Sequence, residues 1–214
     1  MANPFLNHLP PELLETFLSL TTPFKIQQYL DSLPYVGEEL NRSPLRVLQD
    51  RKCHCLDGGL LAASALRNIG YPPLLVDLQP EPNTDDDHIL ALFKQYGLYG
   101  AIAKSNYVGL RFREPVYRTV RELVMSYFND FYSLQHDKTL RFYTRPINMI
   151  PYDRYGWEWS LEGVECVVQR IYSSKLLPVI GPQTIAILSP VDQRFFEAGM
   201  MGTNFDGLFK PKPK

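Results

Sequence analysis

The sequence lacks the features that mark several broad classes of protein. Its net charge is only -1, from 22 Lys and Arg against 23 Asp and Glu, and it has no large basic field that could neutralise nucleic-acid phosphates. No uncharged apolar run reaches the roughly 18 residues that a membrane span needs. The first 14 residues do not combine a basic patch with an apolar stretch, as a secretory signal would. We therefore expect neither a nucleic-acid partner nor a membrane.

Cysteine is also scarce. Three cysteines cannot pair evenly, and a chain of this length folds without disulfides, so we predict a reduced, cytoplasmic compartment. The 45% of hydrophobic and 21% of charged residues are the usage of a soluble globular protein. The length predicts a single domain over residues 1–214, with a core at about 35–145. Helical extensions are expected at 1–34 and 146–209, and a frayed basic tail at 210–214.

The order of the predicted elements indicates an α+β fold. Helices are predicted at about 11–20, 22–30, 55–69, 119–132 and 160–171, and strands at about 74–78, 89–94, 98–103 and 139–143. Residues 33–48 are predicted to be irregular because Pro34, Gly37 and Pro44 interrupt them. The segment 55–69 has almost no polar face, which predicts a central helix that is buried on most sides and ends at Gly70.

Cys55 stands at the predicted start of this apolar helix. Free N–H groups and the helix dipole stabilise an anion there by about 0.3–1 kcal/mol, so we expect a lowered thiol pKa and a nucleophilic thiolate. The same amides could stabilise an oxyanion. Gly58 and Gly59 would let other groups approach the first turn closely. Asp57, also in the first turn, is expected to be structural.

His88 begins the second predicted strand and is the candidate base for Cys55. In a hairpin that turns at residues 95–97, position 88 would lie opposite Lys104, Ser105 or Asn106. The amide of Asn106 could accept a hydrogen bond from the imidazole and hold the ring in place, with Ser105 as the nearest rival.

The run from Cys55 to Gly70, CLDGGLLAASALRNIG, resembles the Cys-x-Asp and Leu-Arg-x-x-Gly block of the transglutaminase-like superfamily. The strands around Leu74 and the Asp87-His88 pair continue this resemblance, which covers about residues 43–106. It implies a papain-like α+β fold, in which a central buried helix packs on a small antiparallel sheet. It also implies a Cys-His-Asp triad and activities such as amide hydrolysis, acyl transfer to amines or glutamine deamidation. Some members of the superfamily are inactive binding modules.

The chain departs from the family pattern at Ala103, where the family usually has the triad Asp. The third triad position is therefore assigned to Asn106, with Ser105 or no residue as alternatives. Gln49 lies six positions before Cys55 and matches, by position, the amide that completes the oxyanion hole of papain-like enzymes.

These observations predict a cysteine hydrolase or acyltransferase that acts on a peptide or glutamine-type amide bond. Cys55, His88 and Asn106 would be catalytic, Gln49 would help to bind the oxyanion, and no cofactor is expected. The substrate would be a peptide, a protein or a small amide. Two alternatives stay open: a catalytically inactive binding protein on the same fold, and a zinc site formed by Cys53, His54 and Cys55 with His88.

Overall fold

The computed structural model describes residues 3–209, so the predicted tail at 210–214 lies outside the described residues. The helices are α1 Pro11–Leu18, α2 Pro23–Ser32, α3 Pro44–Asp50, α4 Cys55–Asn68, α5 Val120–Met125, α6 Leu161–Tyr172, α7 Pro182–Ile185 and α8 Gln193–Gly199. The strands are β1 Leu74–Pro80, β2 His88–Gln95, β3 Leu98–Ile102, β4 Arg113–Tyr117, β5 Leu140–Thr144, β6 Ile147–Asn148 and β7 Leu176–Pro178. Short 3₁₀ helices span Pro4–His8, Ile150–Tyr155 and Phe205–Gly207.

One antiparallel sheet organises the chain, with strands in the order β4-β3-β2-β1-β5-β7 and β6 also paired with β1. Side chains alternate between the two faces of each strand. Ile89, Ala91 and Phe93 of β2 share one core with α4, whereas Leu90 and Leu92 belong to a second core on the opposite face. The predicted α+β class, with a central buried helix packed on an antiparallel sheet, is confirmed.

Local sequence signals set most element boundaries. Thr22 and Ser160 accept hydrogen bonds from the backbone N–H of Lys25 (3.1 Å) and Gly163 (3.0 Å), which caps α2 and α6. Gly70 has a φ of +95° after α4, as expected for a C-terminal glycine. Tyr96 and Gly97 have φ of 51° and 84° and form the tight turn between β2 and β3.

Two predictions about the chain were wrong. The segment 33–48 is not irregular throughout, because Ser43 caps α3 by accepting from Arg46 N (3.3 Å) and Pro44 occupies its first turn. A proline suits that position because the first turn does not use its N–H, so Pro44 starts a helix. The helix predicted at 119–132 ends at Met125 and continues as turns. Among the helices of residues 3–209, none has the length and hydropathy of a membrane span.

Candidate active site at the start of helix α4

The N-terminus of α4 is fixed by a buried carboxylate. Asp57 is fully buried and accepts hydrogen bonds from the backbone N–H of Arg42 (2.6 Å) and His54 (3.4 Å). The Arg42 guanidinium contacts Asp57 (3.5 Å) and Asp50 (3.1 Å) and also bonds Glu38. The structural role predicted for Asp57 is confirmed, because this network holds the loop before α4 against its first turn.

Cys55 lies at the first position of α4 and lines a cavity of about 580 Å³. This volume lies in the range of small-molecule and substrate sites. The thiol donates to the carbonyl oxygen of Asp87 (3.6 Å), and the backbone N–H of Ile89 lies close enough to the sulfur to lower its pKa slightly against the larger effect of burial. The sulfur therefore rests against the backbone on both sides of His88.

The thiol pKa of Cys55 is raised well above its usual value, so the expectation of a lowered pKa was wrong. Burial is the main cause, and the negative charge of Asp87 adds to it. The helix N-terminus favours the thiolate by only about 0.3–1 kcal/mol, which is too little to offset desolvation and nearby carboxylates. At neutral pH Cys55 is a neutral thiol.

His88 is buried, and its ring Nε2 lies 2.8 Å from the carbonyl oxygen of Leu110. A carbonyl can only accept, so the proton is assigned to Nε2 and the lone pair to Nδ1. Burial lowers the pKa of His88 to about 4, which keeps the imidazole neutral. Leu110 thus provides the orienting acceptor that the sequence assigned to Asn106.

The side chains of Cys55 and His88 do not hydrogen-bond to each other in the part of the chain described here: the thiol bonds Asp87 and the ring bonds Leu110. His88 lines a second cavity of about 30 Å³, which adjoins the Cys55 cavity. The two cavities share lining residues: Tyr35, Asp86, Asp87, Gly207 and Phe209. The two side chains line adjoining cavities but lie on opposite sides of the start of β2, because His88 shares the face of Leu90 and Leu92 and Cys55 belongs to α4 on the other face.

Asn106 does not orient His88. The β2–β3 ladder ends at the pair Ala91 and Ile102, so the chain leaves the sheet before residue 106 comes opposite His88. The Asn106 amide instead bonds the backbone of Asn204 and Gly207. The alternative candidate, Ser105, accepts a hydrogen bond from Tyr107 N (2.9 Å). Serine hydroxyls commonly make this kind of local hydrogen bond in turns.

Gln49 lies on the exposed surface of α3 and is not among the residues that line the Cys55 cavity. The helical turn at 44–50 points its side chain to solvent, so the predicted oxyanion role is not supported by its position. The first N–H groups of a helix have no partner within the helix, and those of α4 follow directly after Cys55.

Sequence analysis did not single out Asp77, a buried carboxylate that interacts with Asp87. Asp77 is buried on the α4 side of β1 and pairs in register with Ile89. Burial, then the charge of Asp87, raises the pKa of Asp77 to about 8, and burial raises that of Asp87 to about 6. Gln79 Nε2 bonds Asp77 Oδ2 (2.6 Å) and lies 3.4 Å from Asp87 Oδ2. A single Asp within the apolar run 74–78 was the signal that could have revealed this group.

The imidazole of His54 lines the Cys55 cavity. The sequence analysis considered His54 only as a zinc ligand. Its Nε2 lies 3.2 Å from Leu40 O and 3.3 Å from Asp57 Oδ1. Within residues 3–209, no group of three or more His, Cys, Asp or Glu side chains is arranged to hold a metal ion. The zinc site considered for Cys53, His54, Cys55 and His88 is therefore not formed there.

Comparison with known proteins gives distant resemblances to solved structures. No family model matches the chain, and no curated protein matches it. Among solved structures, the chain is similar to Legionella pneumophila LapG (EGTA-treated), with 11% sequence identity and a TM-score of 0.37. The match covers 51% of this chain and 70% of that chain.

Proposed function

We propose that the protein is a cysteine hydrolase or acyltransferase that acts on amide bonds, with Cys55 as the nucleophile. The observation that carries the proposal is the position of the Cys55 sulfur. It lies at the N-terminus of a buried helix, on the wall of the large cavity, against the backbone that flanks His88. A nucleophile, a base and backbone N–H donors are the parts that acyl transfer requires.

In the proposed reaction, the base is Nδ1 of His88. The alternation along β2 places His88 on the face of Leu90 and Leu92, opposite α4. The hydrogen bond from Cys55 to Nδ1 therefore requires that residues 86–88 rearrange when substrate binds, so that the thiol leaves Asp87 O and meets the ring. Nδ1 takes the thiol proton as sulfur attacks the amide carbon, and the C–N bond breaks as the imidazolium protonates the leaving amine. Water or an amine then attacks the thioester carbon and gives its proton to Nδ1. The C–S bond breaks, and the imidazolium returns the proton to sulfur, which restores the thiol and the neutral ring.

The hydrogen bond between Nε2 and Leu110 O supports this assignment because it fixes the tautomer whose Nδ1 is unprotonated. The low pKa of His88 and the raised pKa of Cys55 mean that the resting pair is uncharged. The thiol proton is therefore transferred to the base during the attack, because no thiolate is present before substrate binds.

An activated ester tests the proposal without knowledge of the substrate. Wild type should release p-nitrophenolate from p-nitrophenyl acetate in a burst, and His88→Ala should slow the burst by at least about 10²-fold. His54→Ala is the matched control, because it removes the other imidazole near Cys55; its burst rate should change by less than about threefold. A burst equally fast in His88→Ala, or lost only in His54→Ala, would remove His88 as the base.

The second candidate is an inactive binding protein, and one observation favours it: both Cys55 and His88 are neutral at rest. In that case p-nitrophenyl acetate would react with Cys55 no faster than with Cys166, a partly exposed thiol of the same chain. The same assay therefore decides between the two functions.

A further inference from the structure

The last described residues of the chain, 203–209, lie over the candidate active site. Gly207 and Phe209 line both the Cys55 cavity and the His88 cavity. Gly207 N is bonded to Asn204 O in the 3₁₀ helix Phe205–Gly207. We call residues 203–209 the C-terminal segment.

The protein holds this segment chiefly through its backbone. Asn106 is buried, with only 7% of its surface exposed. Its Oδ1 accepts from Asn204 N (2.8 Å), and its Nδ2 donates to Asn204 O (2.9 Å) and to Gly207 O (3.3 Å). A side-chain amide that pairs with both the N–H and the C=O of one residue recognises a peptide chain whatever its side chain.

Two further contacts complete the site. Asn204 Nδ2 donates to Tyr35 O (3.0 Å), and Thr203 Oγ1 donates to Asn106 O (3.2 Å). Gly37 faces the segment so closely that a Cβ there would lie 2.6 Å from Gly207 Cα and 3.2 Å from Asp206 O. The groove is thus shaped for a peptide backbone at Gly37 and supplied with hydrogen-bond partners at Asn106 and Tyr35.

We propose that Asn106, Tyr35 and Gly37 form a peptide-binding groove, which the C-terminal segment occupies as a built-in ligand. The external ligand is a peptide that displaces the segment, takes the same backbone hydrogen bonds from Asn106 and reaches the Cys55 cavity from the same side. The identification of this peptide as the substrate rests on the proposed function, whereas the existence of the groove does not. The proposal gives the buried Asn106 amide a role in peptide binding, in place of the orientation of His88 that the sequence predicted.

Asn204→Pro tests the groove in the full-length protein. Asn204 has a φ of -78°, which proline can adopt, but proline lacks the N–H that bonds Asn106 and the amide that bonds Tyr35. The variant should release the segment and leave the groove intact. An acetylated, fluorescent peptide with the sequence of residues 200–209 should then bind at least about tenfold more tightly to Asn204→Pro than to wild type, as measured by anisotropy.

Two controls make the result specific. The same peptide with proline in place of Asn204 should bind at least about tenfold more weakly, and so should the original peptide when Asn106→Ala is added to the Asn204→Pro protein. Equal binding of both peptides, or binding that Asn106→Ala does not weaken, would overturn the proposal. Because anisotropy needs no catalysis, a groove that binds peptide beside an unreactive Cys55 would refute the proposed function alone.

A second variant covers the case in which Asn204→Pro does not fold. Gly37→Ala should expel the segment sterically and speed hydrogen exchange of the amides of residues 204–208 by at least about tenfold. Gly181→Ala is the matched control, since a Cβ at Gly181 has nothing within 4 Å. Unchanged exchange in Gly37→Ala, or the same increase in Gly181→Ala, would contradict the proposal.

Discussion

Two interacting carboxylates, the buried Asp77 and the half-buried Asp87, predict an unusual dependence of stability on pH. Asp77 is only 1% exposed, and its Oδ1 has no hydrogen-bond partner in the described part of the chain. Its pKa of about 8 means that folding favours the protonated carboxyl. A raised folded-state pKa contributes stability in acid that is lost as pH rises through the folded pKa. The contribution of the pair should therefore fall from about pH 4, where an unfolded Asp titrates, to about pH 8, the folded-state pKa of Asp77.

The magnitude of the effect follows from the difference between the folded-state and unfolded-state pKa values of Asp77. An unfolded Asp titrates near 3.9, and each pKa unit is 1.36 kcal/mol, so a folded pKa of about 8 gives an upper limit of about 5.6 kcal/mol. Asp77 and Asp87 repel each other, and protonation of one relieves the other, so we expect about half of this limit for Asp77 alone. Asp77→Asn removes the charge and keeps the shape of the side chain.

Urea unfolding at pH 5 to 9 measures the effect. Asp77→Asn should raise the free energy of unfolding by about 2–3 kcal/mol at pH 9 and change it by less than about 1 kcal/mol at pH 5. Asp137→Asn, at an exposed site, should follow wild type at every pH. An Asp77→Asn curve parallel to wild type, or a variant less stable at pH 9, would refute the reasoning.

Two further predictions concern the packing that holds α4. Gly59→Ala should destabilise the fold by about 1–3 kcal/mol despite the better helix propensity of Ala, because a Cβ would lie 2.6 Å from Ile89 Cγ2. Adding Ile89→Ala should recover part of that loss in urea unfolding, and strictly additive losses would contradict the clash. Arg42→Met should cost about 3–5 kcal/mol, because it leaves Asp57 buried without its cation. A loss under about 1 kcal/mol would show that Asp57 needs no counter-charge.

Much of the fold is readable from local sequence. The helix α4 is recognisable because Leu60, Leu61 and Leu66 leave no polar face, and Gly70 marks its end. The turn at Tyr96 and Gly97 fixes the β2–β3 register by itself. By contrast, β6 and β7 have two and three residues, and they exist because β1 and β5 offer edges for pairing, which no local pattern records.

The candidate site was predictable in part. The spacing placed Cys55 at a helix start and His88 at a strand start, and both positions are as predicted. The role of Asn106 was not predictable, because it depends on where β3 leaves the sheet and on the return of Asn204 from 98 residues along the chain. The raised pKa of Cys55 likewise depends on Asp87 and on burial, which only the tertiary structure sets.

The site of the covalent intermediate tests the central claim most directly. The protein is mixed with p-nitrophenyl acetate, quenched during the burst and mapped by mass spectrometry. We predict one acetyl group on Cys55, at a yield well above that on Cys53 or Cys166, and none at position 55 in Cys55→Ala. Acetylation confined to Cys166 or to lysines, or a burst that Cys55→Ala retains, would contradict the assignment of Cys55 as the nucleophile.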